Sequence, residues 1–225
     1  MDIAVLGTGA VGRALAARLD GLGHSVVMGT REPADTLART DVGPMSTTPF
    51  SAWREEHSTV GLATFAEAAR DADLLVNASS GAASIEILRM AGADSMAGTV
   101  LLDISNPLDS SAGFPPTLFV KDTSSLAEQV QAAFPRLRVV KALNTLTAAL
   151  MVEPRSLGQS STVFVSGDDP DAKAVVVGLL ESFGHDDVLD LGGLETARGA
   201  EMYLPLWLRI MGALGTANFN IKVVR

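Results

Sequence analysis

The stretch that most constrains this chain is its first thirty-one residues, where an apolar run, Ile3-Ala4-Val5-Leu6, leads straight into Gly7-Thr8-Gly9-Ala10-Val11-Gly12. A strand that turns into a helix through G-x-G-x-x-G is a dinucleotide fingerprint. The first glycine permits the tight turn, the second lets backbone approach a pyrophosphate, and the third lets helix and sheet pack closely. The motif alone is weak, but its flanks fit. Val11, Leu15, Leu19 and Leu22 recur at helical spacing up to a stop at Gly23, and Ser25-Val26-Val27-Met28 reads as the second strand of a βαβ unit. A pyrophosphate would lie at the helix N-terminus, where free N–H groups and the positive end of the dipole favour an anion.

The end of the second strand selects the dinucleotide. Folds that prefer NAD place Asp or Glu there to accept from the ribose 2′-hydroxyl, whereas this chain has Gly29-Thr30-Arg31. An acid would repel a 2′-phosphate. Arg31 offers a planar fork of donors matched to it, and Thr30 adds a hydroxyl. NADP(H) is therefore the expected cofactor. The alternative is that Arg31 is a surface side chain neutralised by Glu32 beside it.

Of the 225 residues, 47% are hydrophobic, enough for one substantial core or for a nucleotide-binding domain with a small appendage. No apolar run approaches the roughly 18 residues a membrane span needs, and Met1-Asp2-Ile3 starts a strand, so a cytoplasmic protein without membrane contact is expected. The net charge of -9 argues against nucleic acid as partner, and the lack of cysteine excludes disulfides and thiolate chemistry. No metal site is expected, and a small-molecule redox acceptor is the expected partner.

Strand-like runs at 59–62, 73–78, 99–104, 137–143 and 162–165 alternate with helical patterns. This predicts an α/β, Rossmann-type, doubly wound and mainly parallel sheet covered on both faces. The polar stretch 33–58, with Trp53, reads as an ordered surface excursion containing a short helix. Ser125-Leu126-Ala127-Glu128 reads as a capping box, opening a helix with Leu126, Val130 and Phe134 on one face and Pro135 as its close. Asp169 can cap a helix that starts at Pro170, buries Val175, Leu179 and Phe183, and stops at Gly184. The spacing further predicts one long apolar helix over 195–215, kinked at Pro205, and a terminal strand over 219–224. Residues 1–145 then form an NADP-binding Rossmann domain and 146–225 a small C-terminal α+β lobe, with the ligand crevice between them.

Three strand ends would face the cofactor: Ala78-Ser79-Ser80-Gly81, Ser105-Asn106-Pro107 and Ala142-Leu143-Asn144-Thr145. Such residues also favour ordinary turns. The missing groups say more. The lone tyrosine, Tyr203, is followed four residues on by Trp207 instead of lysine, so the Tyr-x-x-x-Lys pair of short-chain dehydrogenases is absent. His24, His57 and His185 are scattered, and two of them follow helix-ending glycines, where a structural role suffices. Lys141 is the remaining candidate proton donor, on a strand where its side chain can point either way. A hydride donor with no evident general acid suggests an acceptor that needs no enzyme proton at its reacting atom, such as a flavin or deazaflavin. The protein would then supply stacking and a near-attack separation of roughly 3 to 3.5 Å. No residue is assigned a catalytic role.

Gly7 to Gly12, Gly29-Thr30-Arg31, Val140-Lys141-Ala142-Leu143-Asn144-Thr145, Val165-Ser166-Gly167-Asp168-Asp169 and the tail from Leu189-Asp190-Leu191-Gly192 to Ile221-Lys222 occur in this order across nearly the whole chain. Together they resemble the coenzyme F420-dependent NADP oxidoreductase family. The resemblance implies NADP(H) lying over the Gly-rich turn, hydride passing between nicotinamide and a deazaflavin against the C-terminal lobe, and a homodimer through that lobe. The expected cofactor contacts are Gly7, Thr8, Gly9, Ala10, Val11, Gly12, Thr30, Arg31, Ala78, Ser79, Asn106, Pro107, Ala142 and Asn144, with Leu204, Pro205 and Leu206 as an apolar wall near the acceptor. Two departures stand out. Deazaflavin users often carry His where this chain has Asn144, and a basic residue near the 2′-phosphate is replaced around Asp35. The Asn144-Thr145 pair is more similar to the cytoplasmic oxidoreductase domain of six-transmembrane metalloreductases, in which NADPH reduces a flavin. Three functions remain open from the sequence: an F420- or flavin-linked NADPH oxidoreductase, a reductase of a small imine or carbonyl, and a non-catalytic NADP(H)-binding redox sensor.

Overall fold

Among the described residues ten strands alternate with helices: β1 (Asp2–Leu6), β2 (Ser25–Thr30), β3 (Gly61–Thr64), β4 (Leu74–Asn77), β5 (Val100–Asp103), β6 (Leu108–Asp109), β7 (Thr117–Leu118), β8 (Arg138–Ala142), β9 (Val163–Gly167) and β10 (Val188–Gly192). The computed structural model describes residues 1–42 and 48–225. Eight strands form one sheet in the order β10-β9-β8-β5-β4-β1-β2-β3, while β6 and β7 pair as a small separate hairpin. Neighbours in the large sheet run parallel except β8 and β9. The strand order reverses between β1 and β4. That reversal opens a crevice at the C-terminal strand ends, the usual ligand position in open α/β sheets.

The central strands are continuously apolar because both of their faces are covered. Successive side chains alternate between the two sides. Ile3 and Val5 join one core layer with Leu15, Leu19, Val76 and Leu102, and Ala4 and Leu6 join the other with Leu75, Leu101, Leu126 and Val130. Helix Ala10–Gly21 buries Leu15, Ala16 and Leu19, whereas Leu22 sits past its end and is exposed.

Ser125 caps helix Leu126–Ala133 by accepting from the Glu128 amide at 3.1 Å, while the Glu128 carboxylate turns to the Ser125 hydroxyl and to Arg198. Leu126, Val130 and Phe134 are all buried. Asp169 caps helix Pro170–Phe183 through the Ala172 amide at 2.9 Å, and Gly184 ends it at φ 104°. Its buried stripe is Ala172, Val176, Leu179, Leu180 and Phe183. Val175 is exposed, so the inward face at this turn is one residue on from the expected one.

The C-terminal part departs further from expectation. The single helix expected over 195–215 is three pieces: a 3-10 turn Leu194–Thr196, helix Ala197–Met202 and helix Leu204–Leu214. Pro205 lies in the first turn of the last, where a missing N–H costs nothing, so it starts a helix instead of kinking one. The stretch 219–224 is not a strand. It lies against the start of β9, with Thr162 N donating to Ile221 O and Val223 N to the Thr162 hydroxyl, each at 2.9 Å. Beyond Asn144 the chain adds β9 and β10 to the same large sheet. The excursion 33–58 holds two helices, Pro33–Ala38 and Phe50–Glu56, and its residues 43–47 lie outside the described residues. Among the described residues no helix is long and apolar enough to cross a membrane.

Candidate dinucleotide and acceptor site

The Gly-rich turn is shaped by close backbone contacts. Gly7 has φ 127°, and a Cβ there would come within 2.7 Å of Ala78 O; a Cβ on Gly12 would meet Gly7 O at 2.2 Å. Gly9 faces open space, with nothing within 4 Å of a Cβ built on it. It is also the N-cap of helix Ala10–Gly21, which has no side-chain cap and no acid in its first turn. The first amides of the helix are thus left for a ligand, which fits a pyrophosphate resting on this turn.

From the turn, a cavity of about 320 Å³ runs toward the end of β2, lined by Thr8, Gly9, Thr30, Arg31, Arg39, Ala78, Ser79 and Ser80 among others. Arg31 points outward, two-thirds exposed, and faces Glu86 at 3.8 Å. Thr30 is buried, and its hydroxyl lies 2.7 Å from that of Thr36. Thr36 directs its one hydroxyl hydrogen to Glu32 O at 3.0 Å, so Thr30 is the donor in the pair and its own hydrogen is committed. Arg39, which sequence reasoning did not single out, completes this end by donating to Thr36 Oγ1 at 2.8 Å. It supplies the positive charge that the sequence lacks near Asp35. Arg13 lies behind the turn, donating to Thr8 O at 3.0 Å and Thr48 O at 2.7 Å, with its guanidinium over the Phe50 ring. Burial, then the charge of Arg39, lowers the Arg13 pKa, against the opposing pull of Asp41.

Ala78, Ser79 and Ser80 also line a second cavity of about 300 Å³, so the two make one groove across the switch point. This second part is walled by Val11, Ile104, Ser105, Asn106, Leu108, Asn144 to Ala148, Met151, Leu204 and Trp207. Asn106 and Asn144 are cross-bonded: Asn106 Nδ2 donates to Asn144 O at 2.9 Å, and Asn144 Nδ2 to Asn106 Oδ1 at 3.0 Å. The other Asn144 amide hydrogen goes to Ala200 O at 3.0 Å. Leu143 just before it has φ 63°, a left-handed conformation that costs a branched residue about 1–2 kcal/mol and turns the chain out of β8 at the groove. Gly81 closes the floor, because a Cβ on it would meet Asn106 O at 1.9 Å.

No His, Lys, Arg, Asp, Glu or Tyr lines this second part among the described residues. His24 sits by the N-terminus, His57 stacks on Trp53, and His185 bonds Met151 O. Burial holds His185 below its usual pKa and therefore neutral near pH 7. Lys141 points beneath the groove, not into it. Its Nζ donates to Asp103 at 2.8 Å and to Glu201 at 2.9 Å, and to the Ser105 carbonyl. Burial opposes its charge, but the two carboxylates overcome this and raise its pKa, so it stays protonated and held. It therefore serves the site as a fixed charge and not as the proton donor that the sequence allowed.

Of the other expected contacts, Ala10 and Gly12 belong to the first helical turn without lining the groove, Ala142 is buried in β8, and Pro107 is buried where the hairpin begins. The expected wall of Leu204, Pro205 and Leu206 is different in detail. Pro205 and Leu206 face outward, Leu206 being 56% exposed, and Trp207 stands beside Leu204 instead. The reason is helical period: from Leu204 the next residue on the same face is three positions along, not one.

The profile of the family described as NADP oxidoreductase, coenzyme F420-dependent, matches residues 2–107. The metalloreductase STEAP3 of Rattus norvegicus is 31% identical over 91% of this chain, which spans 37% of that protein's length. An F420-dependent NADP reductase of Methanothermobacter thermautotrophicus is 30% identical, and the alignment covers 99% of this chain and 94% of that one. Among solved structures, a protein from Arthrobacter sp. FB24 provisionally described as an F420-dependent NADP-reductase is 57% identical, with a TM-score of 0.95 and 100% of both chains covered. The groove, its glycine turn and the two similarities that cover nearly all of both chains lead to one assignment: this chain belongs to the coenzyme F420-dependent NADP oxidoreductase family.

Proposed function

We propose that this protein passes hydride between NADP(H), laid along the groove, and a deazaflavin or flavin ring seated against Leu204 and Trp207. The carrying observation is the polarity of the groove: Arg31 and Arg39 at one end, and an apolar end without a proton-donating side chain at the other. In this reading residues 1–145 hold the dinucleotide and 146–225 supply the acceptor wall. Gly7, Thr8 and Gly9 cradle the pyrophosphate, Arg31 and Arg39 pair with the 2′-phosphate, and the cross-bonded Asn106 and Asn144 face the nicotinamide. Bound NADPH would supply hydride, both electrons with the hydrogen, and the acceptor's reduction is completed by one proton from solvent. The chain's own part is to orient the rings and exclude water.

Among the described residues no Lys or Arg lines the apolar end, which suits a neutral isoalloxazine-like ring and leaves the anionic tail that F420, FMN and FAD each carry to lie outside it. Similarity to a metalloreductase favours the flavin arm, and similarity to F420-dependent reductases favours the deazaflavin arm. Anaerobic NADPH oxidation with F420, FMN and FAD supplied in parallel decides between them. Turnover with none of the three overturns the reading in favour of a dinucleotide sensor. We further propose a cytoplasmic homodimer formed through the exposed apolar side of helix Leu204–Leu214, where Leu206 and Leu214 are more than half exposed.

A further inference from the structure

A buried network under the groove joins the ends of β4, β5 and β8 to the helix before Leu204. Ser79 Oγ donates to Asn77 Oδ1 at 2.6 Å, and Asn77 Nδ2 donates to Asp103 Oδ1 at 2.8 Å. Asp103 also accepts from the Ser105 hydroxyl at 2.7 Å and lies 2.8 Å from Lys141 Nζ. Lys141 reaches Glu201 at 2.9 Å, and Glu201 in turn accepts from the Leu126 and Ala127 amides at 2.7 and 3.2 Å. Asn77, Asp103, Lys141 and Glu201 are each at most 1% exposed. The chain of bonds thus runs from the floor of the groove at Ser79 and Ser105 to the helix that ends at Met202, just before Leu204 and Trp207. A second tie is parallel to it, since the residue before Glu201 accepts from Asn144.

Resting on the function proposed above, the structure assigns Lys141 and Glu201 as positioning residues: their ion pair is a strut that fixes the distance between the nicotinamide floor and the acceptor wall. Hydride transfer breaks the C–H bond at nicotinamide C4 and forms one on the acceptor ring. NADPH becomes NADP⁺ and the acceptor gains two electrons with the hydride, and one proton is drawn from solvent. The rate of that step depends on separation, and a displacement of about 1 Å can cost about a hundredfold. NADPH binding, set by the glycine turn and the two arginines at the far end, does not depend on it. The strut therefore acts on kcat and not on dinucleotide affinity. A charged strut suits this task because its partners are fixed in direction as well as distance, whereas apolar contacts slide.

Two variants test it. Lys141 Nζ meets Glu201 Oε1 and the Leu126 amide meets Oε2, so in Glu201→Gln one of these two donors faces an NH2 group instead of an oxygen. Lys141→Met/Glu201→Met removes the pair together and keeps Asp103 bonded to Asn77 and Ser105, at the cost of leaving that buried carboxylate without its cation, a cost that Tm reads out. The measurements are NADPH Kd by nicotinamide fluorescence, kcat with F420 or FMN, the isotope effect with NADPH deuterated at nicotinamide C4, and Tm. The expected result is an NADPH Kd within about twofold of wild type, kcat lowered roughly tenfold to a hundredfold, and an isotope effect that rises as chemistry becomes limiting. The double variant should show this even where its Tm matches or exceeds wild type. Unchanged kcat in a folded double variant overturns the strut, and so does a loss of kcat that merely tracks NADPH affinity and Tm. Wild-type protein that reduces no acceptor removes the underlying function and the strut together; wild-type turnover with normal double-variant kinetics removes the strut alone.

Discussion

Arg39 donates to the Thr36 hydroxyl at 2.8 Å, which holds a second guanidinium beside Arg31 at the end of β2. Neither side chain is buried, so each charge-assisted contact with a 2′-phosphate is worth only the lower part of the usual range of about 1.5–3 kcal/mol. Arg31→Ala and Arg39→Ala are each expected to raise the KM for NADPH about tenfold while leaving the KM for NADH within about twofold. Steady-state kinetics with both coenzymes measures this, and equal effects on the two would remove the assignment.

Glu86 competes for Arg31 across 3.8 Å. A phosphate arriving there must draw the arginine away from it. Glu86→Gln is therefore expected to tighten NADPH binding by about twofold to fivefold, in line with the modest worth of an exposed pair, and to do so more at low salt. Titration of NADPH fluorescence at two ionic strengths reads this out; weaker binding in the variant would show that Glu86 helps to place Arg31.

The glycines of the turn separate folding from binding. At Gly12 an added Cβ collides with Gly7 O at 2.2 Å, so Gly12→Ala should fail to accumulate as folded protein. At Gly9 nothing lies within 4 Å, so Gly9→Ala should fold with a Tm close to wild type, losing at most about 1 kcal/mol for the poorer helix N-cap. Its methyl would stand where the pyrophosphate must approach, and NADPH affinity should fall at least about tenfold. A Gly9→Ala protein with normal affinity would move the pyrophosphate off this turn.

The parts of the site that were legible in the sequence are those whose requirements are local. Gly7, Gly9 and Gly12 are read from spacing because a turn and a close approach demand glycine wherever they occur. Arg31 is read from its place at the end of β2. Arg39 was not legible, because only the return of helix Pro33–Ala38 toward Thr30 brings it to the groove. The Lys141–Glu201 pair spans two distant segments, and its one sequence signal was a lysine inside the apolar run Val139-Val140-Lys141-Ala142. The run 162–165 was read as a strand, but the direction in which β9 joins the sheet was hidden. An antiparallel neighbour requires no helical crossover, and nothing in the pattern of Val163–Gly167 states which way it runs.

The exposed side of helix Leu204–Leu214 carries the proposed dimer contact. Leu206 is 56% exposed and faces away from the groove, so a charge there cannot disturb the acceptor wall directly. Leu206→Asp is expected to convert a dimer to a monomer on a calibrated column with light scattering, at unchanged NADPH affinity. A wild-type protein that already elutes as a monomer, or a variant that stays dimeric, would place the contact elsewhere or remove it.

The C-terminal tail is not in a sheet ladder; it is held by hydrogen bonds to Thr162 and by charge, and the charged part makes it sensitive to acid. The Asp187 carboxylate accepts from Lys222 Nζ at 2.8 Å, from the Thr162 hydroxyl at 2.5 Å and from Arg225 at 2.7 Å. These donors, Lys222 first, lower its pKa to about 2. A folded-state pKa below the ordinary value near 3.9 means that the attachment is fully present above about pH 4 and is lost as pH falls toward 2. Phe219 of the tail stacks on Trp207 with ring centroids 5.2 Å apart, so release of the tail exposes a face of the acceptor wall. Trp207 emission, followed in a Trp53→Phe background, should shift to the red between about pH 4 and pH 2. Asp187→Asn should show the released signal already at pH 7, with a flat profile below it and a raised KM for the acceptor. Emission unchanged by Asp187→Asn would mean that the Phe219–Trp207 contact and the hydrogen bonds to Thr162, and not the carboxylate, hold the tail in place.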